Sequence, residues 1–114
     1  MTEMFAQGDL LIERVADVEP SGTILTPDAT GAVVLAEGEL TGHRHAIHER
    51  VTMFRDDALA REIPGGLYIG HIKVAEGAAV IQHQEHAPIS LGEGTYRVRR
   101  QRELEPKDAV LVSD

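Results

Sequence analysis

Short apolar runs separated by turn residues constrain the fold of this chain more than any other feature. Clusters rich in Gly, Pro and Asp, such as "TPDATG", "IPGG" and "LGEG", punctuate the sequence. Runs this short suit strands, because most helices need about ten residues or more. The pattern therefore predicts an all-β fold, a small barrel or jelly roll. The predicted strands are residues 9–15, 31–38, 39–47, 51–54, 66–74, 78–83, 95–101 and 109–112.

One stretch, "DDALARE" at 56–62, favours a helix instead. Asp56 or Asp57 is suited to cap its first turn, and Pro64 ends it. We therefore expect at most one short helix. The length of 114 residues fits a single domain over 1–114.

Composition excludes several functions. The net charge of −8 repels phosphate backbones, so we expect no nucleic-acid partner. No cysteine is present, which excludes disulfides and thiolate metal sites and fits a cytoplasmic protein. No apolar stretch approaches the roughly 20 residues that span a bilayer, and the start of the sequence lacks the features of a secretory signal. We expect no membrane association.

Arginines are concentrated in "RVRRQR" at 97–102. The simplest interpretation is surface ion pairing, with Glu103 and Glu105 close in sequence. Alternatively, one arginine meets the carboxylate of a bound substrate at the mouth of a site, because its planar fork matches that group.

Histidines cluster in the segment "GHRHAIHE". Side chains alternate across a strand, so His43, His45 and Glu49 share a face with Ile47. That face is the more apolar one, and we expect it to point inward. His48 falls on the opposite face and is expected to meet solvent.

A second pair of histidines follows a predicted hairpin. A two-residue loop at 76–77 pairs Ile72 with Ile81 and carries His83 onto the same apolar face. By the same register, His71 points to solvent.

His86 lies three positions after His83, so a straight strand would turn the two rings to opposite faces. Pro88 restricts Ala87 to extended geometry, which indicates that the strand ends there. A turn at this point returns His86 to the side of His83.

Inward-pointing imidazoles suit a divalent transition metal such as zinc, iron or nickel. A metal also satisfies buried imidazoles that would otherwise lack partners. Three histidines with Glu49 would leave positions open for water or substrate, whereas four histidines would form a closed, structural site.

"HRHAIHE" fits the pattern His-x-His, three residues, Glu, and so resembles the first motif of the cupins. In cupins this motif lies on a strand of a small β-barrel, and a further histidine arrives from a later strand. The resemblance implies a cupin-like barrel whose metal is held by His43, His45, Glu49 and His83. The Pro-x-Gly of the second cupin motif is absent here.

A second resemblance covers more of the chain. "QGDLLIERV", "VVLAEGELTGHRHAI" and "HQEHAPISLGEGTYRVRRQREL" are similar to segments of small uncharacterised bacterial and phage proteins. These share Gly-His-x-His and His-x-x-His-x-Pro-Ile motifs. The resemblance names no reaction, and it favours His86 over Glu49 as the fourth ligand.

Two functions follow from these patterns. The first is a metal-binding protein, and this function extends to a metal-dependent enzyme that acts on a small molecule. The second is a non-catalytic β-sandwich, an interaction or accessory module with structural or exposed histidines. Exposed sheet edges give either one a route to a homodimer.

Overall fold

The computed structural model describes residues 3–37, 42–63 and 67–100. In these ranges it has ten strands and one helix, and every strand pairing is antiparallel. The predicted all-β fold with at most one short helix is confirmed. The predicted strand at 109–112 lies outside the described residues. The elements are β1 (Met4–Gln7), β2 (Leu10–Val15), β3 (Thr23–Leu25), β4 (Val33–Glu37), β5 (Arg44–Ile47), β6 (Thr52–Arg55), α1 (Asp57–Glu62), β7 (Tyr68–Val74), β8 (Ala79–Gln82), β9 (Ile89–Leu91) and β10 (Gly94–Arg100).

The strands form two sheets around one shared core. The larger sheet has the order β1-β2-β10-β7-β6-β3, and the smaller has the order β4-β5-β8-β9. Each sheet turns a row of aliphatic side chains towards the other, as alternation along a strand requires. Fully burying such a side chain stabilises a fold by about 1.5–3 kcal/mol. The larger sheet contributes Leu10, Ile12, Ile72, Val74 and Val98, and the smaller contributes Val33, Leu35, Ile47, Ile81 and Leu91.

Helix α1 begins where the sequence predicts. The Asp56 carboxylate accepts hydrogen bonds from the backbone N–H groups of Ala58 and Leu59, which is the expected N-cap arrangement. The predicted stop at Pro64 lies outside the described residues. No helix in the described part of the chain has the length and apolar character needed to cross a membrane.

The predicted hairpin between β7 and β8 is wrong. β7 lies between β6 and β10 in the larger sheet, whereas β8 pairs with β5 and β9 in the smaller one. Ile81 therefore pairs with Ile47, and Ile72 pairs with Met53 and Tyr96. The error has a physical cause: both strands turn their apolar faces inward whether they lie side by side or face each other across a core. The hydrophobic pattern alone does not distinguish these arrangements.

The predicted exposure of His71 is also wrong. Its relative exposure is 7%, and its ring stacks on Phe54 with centroids 5.1 Å apart. The pairing of β7 with β10 shifts register beside Val98, so Tyr68 turns to the side of His71. The Tyr68 hydroxyl accepts from the backbone N–H of Asp56 at 2.9 Å and is hydrogen-bonded to His71 Nδ1 at 2.7 Å.

This burial predicts a pH dependence of folding stability. Desolvation, followed by the charge of Arg97, lowers the pKa of His71 below its ordinary 6.5. As the pH falls through about 6.5, His71 therefore binds a proton in the unfolded chain but stays neutral in the folded chain. The free energy of unfolding is therefore highest above pH 6.5 and falls as the solution is acidified. Urea unfolding at pH 7.5 and pH 5 should show a smaller loss in His71→Gln than in the wild type.

His48→Gln is the matched control for this measurement, because His48 is exposed. It should lose as much stability on acidification as the wild type. An equal loss in all three proteins would contradict the assignment.

Candidate metal centre

Strand pairing brings the two histidine pairs together. His45 lies in β5, and His43 stands just before that strand. His83 follows the end of β8, and Ala46 of β5 pairs with Gln82 of β8. His45 and His83 are therefore neighbours at one end of the smaller sheet, although the predicted hairpin had placed them together by a different route.

The rings of the other three histidines surround His83. Its ring centroid lies 4.4 Å from that of His45, 4.8 Å from that of His86 and 5.6 Å from that of His43. Two imidazoles that share one tetrahedral ion, through bonds of about 2.0–2.1 Å, have centroids about 5 Å apart. The observed spacings bracket this value. The turn after β8 returns His86 to the cluster as predicted.

A buried glutamine fixes the tautomer of His45. Gln7, at 0% exposure, donates its amide N–H groups to the carbonyls of Ile81 and Ala87 at 3.0 Å and 2.9 Å. Its oxygen therefore accepts from His45 Nδ1, 2.8 Å away. In the neutral ring the proton sits on Nδ1, and Nε2 carries a lone pair.

The His45 ring is strongly biased towards the neutral form. Desolvation by burial, and then the neighbouring His83, lower the pKa of His45 to about 4. Burial likewise lowers the pKa of His83, followed by the charges of His86 and His43. Neutral imidazole is the form that binds metal, so burial favours the metal-binding protonation state of His45 and His83 at neutral pH.

Asp9 is a member of the cluster that the sequence did not reveal. It lies in the turn between β1 and β2, and its Oδ1 is 3.7 Å from His45 Nε2. Its Oδ2 accepts from Arg100 at 2.7 Å. The segment "QGD" shows only a turn signal, so nothing local in the sequence indicates that Gln7 and Asp9 meet the histidines.

Gly8 lets this turn approach the rings closely. A β-carbon built on Gly8 would lie 3.0 Å from His86 Nε2 and 3.3 Å from His45 Cε1. The backbone φ of Gly8 is +60°, a conformation that L-residues with side chains rarely adopt. Glycine is therefore suited to this position for two independent reasons.

His83 faces the cluster with a different hydrogen-bond pattern. Its Nδ1 accepts the backbone N–H groups of Glu85 and His86, at 3.0 Å and 3.3 Å. The neutral ring therefore carries its proton on Nε2 and offers no lone pair there. This agrees with a second observation: within the described residues, no three His, Asp or Glu side chains are grouped ready to hold a metal ion.

The cluster opens onto a cleft of about 210 Å³. At its rim His43 Nδ1 lies 3.3 Å from Glu85 Oε1. The cleft is lined in part by Asp9, His43, His45, His83, Glu85 and Arg100.

Two arginines of the "RVRRQR" segment form ion pairs with β2 and with the turn before it. Arg97 pairs with Glu13, and Arg100 pairs with Asp9. Glu103 and Glu105, named from the sequence, lie outside the described residues. Of the arginines in this segment, Arg100 lines the histidine cleft, where the sequence allowed for an arginine at the site mouth.

Glu49 does not join the cluster. The predicted inward direction is wrong, because Glu49 is exposed and its carboxylate accepts the backbone N–H of Val80 at 2.9 Å. β5 ends at Ile47, so strand alternation does not extend to Glu49. The exposure predicted for His48 is confirmed.

These features define a small two-sheet β-protein with a histidine cluster at one end of the smaller sheet. Residues 6–101 match a family described as "Domain of unknown function (DUF8820)", and the chain belongs to that family. The expected membership of an uncharacterised family is thus confirmed, and the resemblance to cupins stays a prediction. No curated protein and no solved structure matches the chain significantly.

Proposed function

We propose that this protein binds one divalent transition metal ion, zinc, iron or nickel, through His43, His45, His83 and His86. The observation that carries the proposal is the packing of three imidazoles around His83 at centroid distances of 4.4–5.6 Å. Imidazole is a favourable ligand for each of these ions.

Partners of the ring nitrogens support the proposal. Metal-binding histidines usually hold an oxygen with one ring nitrogen and the ion with the other. His45 Nδ1 contacts the amide oxygen of Gln7, and His43 Nδ1 lies beside the carboxylate of Glu85. Both arrangements direct Nε2 to the role of ligand.

His83 must exchange partners to join the ion. Releasing two backbone N–H groups from its Nδ1 costs about 1–3 kcal/mol for each group left unsatisfied. Structural zinc sites contribute about 10–16 kcal/mol of binding free energy in small peptides. The cost is the smaller quantity, so the present hydrogen bonds of His83 do not oppose metal binding decisively.

An ion that keeps a coordination position beyond the four histidines would supply Lewis-acid chemistry or activate a bound water there. The cleft of about 210 Å³ limits any substrate to a small molecule. Arg100 at its rim is suited to hold an anionic group of that molecule, because a guanidinium binds carboxylates through two parallel hydrogen bonds.

The second candidate is a non-catalytic module in which the histidines are structural. One observation favours it: His83 Nδ1 is already satisfied by two backbone N–H groups. In this case the hydrogen bonds of the histidine cluster hold the two sheets together at one end, and no ion is needed.

A metal titration separates the two candidates. Protein prepared without a histidine tag and stripped with chelator should bind one Zn²⁺, Fe²⁺ or Ni²⁺ per chain by calorimetry. A free metal concentration 100 times the dissociation constant adds about 2.7 kcal/mol of stability. For a domain of this size that raises the melting temperature by roughly 10–20 °C.

His48→Ala is the control, because His48 is an exposed histidine outside the cluster. It should bind and be stabilised like the wild type. Less than about 0.2 metal per chain for every ion, with no change in melting temperature, would leave only the structural role.

A further inference from the structure

We propose that Asp9 is the carboxylate ligand of this site, in the place that the cupin pattern gives to Glu49. The inference rests on the proposed metal function and extends it to a ligand that belongs to neither histidine motif. Asp9 reaches the cluster from the turn between β1 and β2, in the other sheet from His45. An ion bound there would bridge the two sheets.

The spacing of Asp9 and His45 fits an ion between them. Oδ1 of Asp9 lies 3.7 Å from Nε2 of His45. A direct hydrogen bond between nitrogen and oxygen spans about 2.7–3.2 Å. With four histidines and Asp9 the ion has five or six ligands, and two neighbouring ligands with bonds of about 2.0–2.2 Å then lie roughly 2.9–3.7 Å apart. The observed separation is closer to the second geometry.

Nε2 of His45 and Oδ1 of Asp9 both present lone pairs, which is an arrangement that favours a cation between them. Nδ1–H of His45 donates to Gln7, so Nε2 of the neutral ring is an acceptor. An ionised carboxylate is also only an acceptor. Two acceptors that face each other repel, and a cation between them converts that repulsion into two bonds.

The second oxygen of Asp9 is held from outside the cluster. Arg100 Nη1 donates to Oδ2 at 2.7 Å, which turns Oδ1 towards His45. Carboxylates that bind metals are commonly oriented in this way by a hydrogen bond to their other oxygen. Arg100 is therefore a positioning residue for the proposed ligand.

The proposal also predicts which metals the site prefers. Carboxylate ligands suit harder ions such as Mn²⁺, whereas imidazole alone suits copper and nickel. A mixed site with Asp9 should hold Zn²⁺ and bind Mn²⁺ measurably. Loss of the carboxylate should weaken Mn²⁺ binding more than Ni²⁺ binding.

Calorimetric titration with Zn²⁺ tests the assignment in three proteins: wild type, Asp9→Asn and Glu49→Gln. Asp9→Asn keeps the shape of the side chain and removes its charge. We expect it to bind Zn²⁺ at least about tenfold more weakly. Glu49→Gln is the matched control, and its affinity should stay within twofold of the wild type, because Glu49 holds Val80 instead. Melting temperatures of the metal-free proteins show whether each variant is folded.

The outcomes separate this inference from the proposed function. A wild type that binds no Zn²⁺ overturns both. A wild type that binds Zn²⁺ as tightly as Asp9→Asn overturns the role of Asp9 alone. If Asp9→Asn does not fold, a crystal structure of the zinc-loaded wild type decides: a carboxylate oxygen of Asp9 about 2.0–2.2 Å from the ion supports the inference, and a ligand set without Asp9 overturns it.

Discussion

Substitution of His45 by alanine should reduce zinc affinity by roughly a hundredfold or more. Even residues that merely orient a ligand change metal affinity by about 10–100-fold when they are removed. His45 is the most buried of the four clustered histidines, and Gln7 fixes its proton on Nδ1. Its Nε2 is therefore the ligand atom that is already held in position, so binding through it loses the least conformational entropy. Competition against a chromophoric chelator measures affinities over this range.

The control for this substitution is His48→Ala, three positions along the chain. His48 is exposed and should show the wild-type affinity. Equal zinc affinity in His45→Ala and wild type would mean that any bound ion sits elsewhere. A large loss of folding stability in metal-free His45→Ala, without an effect on zinc affinity, would instead favour the second candidate, in which the histidines are structural and bind no ion.

The sequence predicted the components of the cluster better than the scaffold around it. Alternation along β5 correctly put His45 on the face of Ile47, which lies in the core. The proline after Ala87 correctly indicated a turn, and that turn brings His86 to His83. Both predictions concern neighbours in sequence, where local geometry fixes direction.

Long-range pairing was the part that the sequence did not settle. The predicted hairpin joined β7 to β8, whereas the structure puts them in different sheets. The same missed strand pairings led to the prediction that His71 is exposed, whereas its ring is buried beside Phe54 and Tyr68. Period-two alternation records which face is apolar, and it does not record which strand lies alongside.

The partners of the histidines were hidden for a related reason. Gln7 and Asp9 flank a glycine in a turn, and polar residues there need no special explanation. Their importance depends on a contact between residues 38 positions apart, between Gln7 and His45. A buried side-chain amide satisfied by three partners is visible only once the two sheets are in place.

Replacement of Gln7 by leucine should destabilise the metal-free protein by about 3 kcal/mol or more. Leucine has nearly the same volume but no amide. The carbonyl of Ile81, the carbonyl of Ala87 and Nδ1–H of His45 would lose their partner together. A polar group left unsatisfied in a buried position costs about 1–3 kcal/mol. Urea unfolding monitored by circular dichroism measures the loss.

Gln82→Leu provides the comparison, because Gln82 is an exposed residue of β8. Surface substitutions of this kind usually change stability by less than about 0.5 kcal/mol. Gln7→Leu should also bind zinc about 10–100-fold more weakly, because the proton of neutral His45 is then no longer fixed on Nδ1 and also occupies the ligand atom Nε2. A Gln7→Leu protein as stable as Gln82→Leu would show that the amide does not join the sheets. In that case the turn that carries Asp9 would have to be held to the histidines by other contacts.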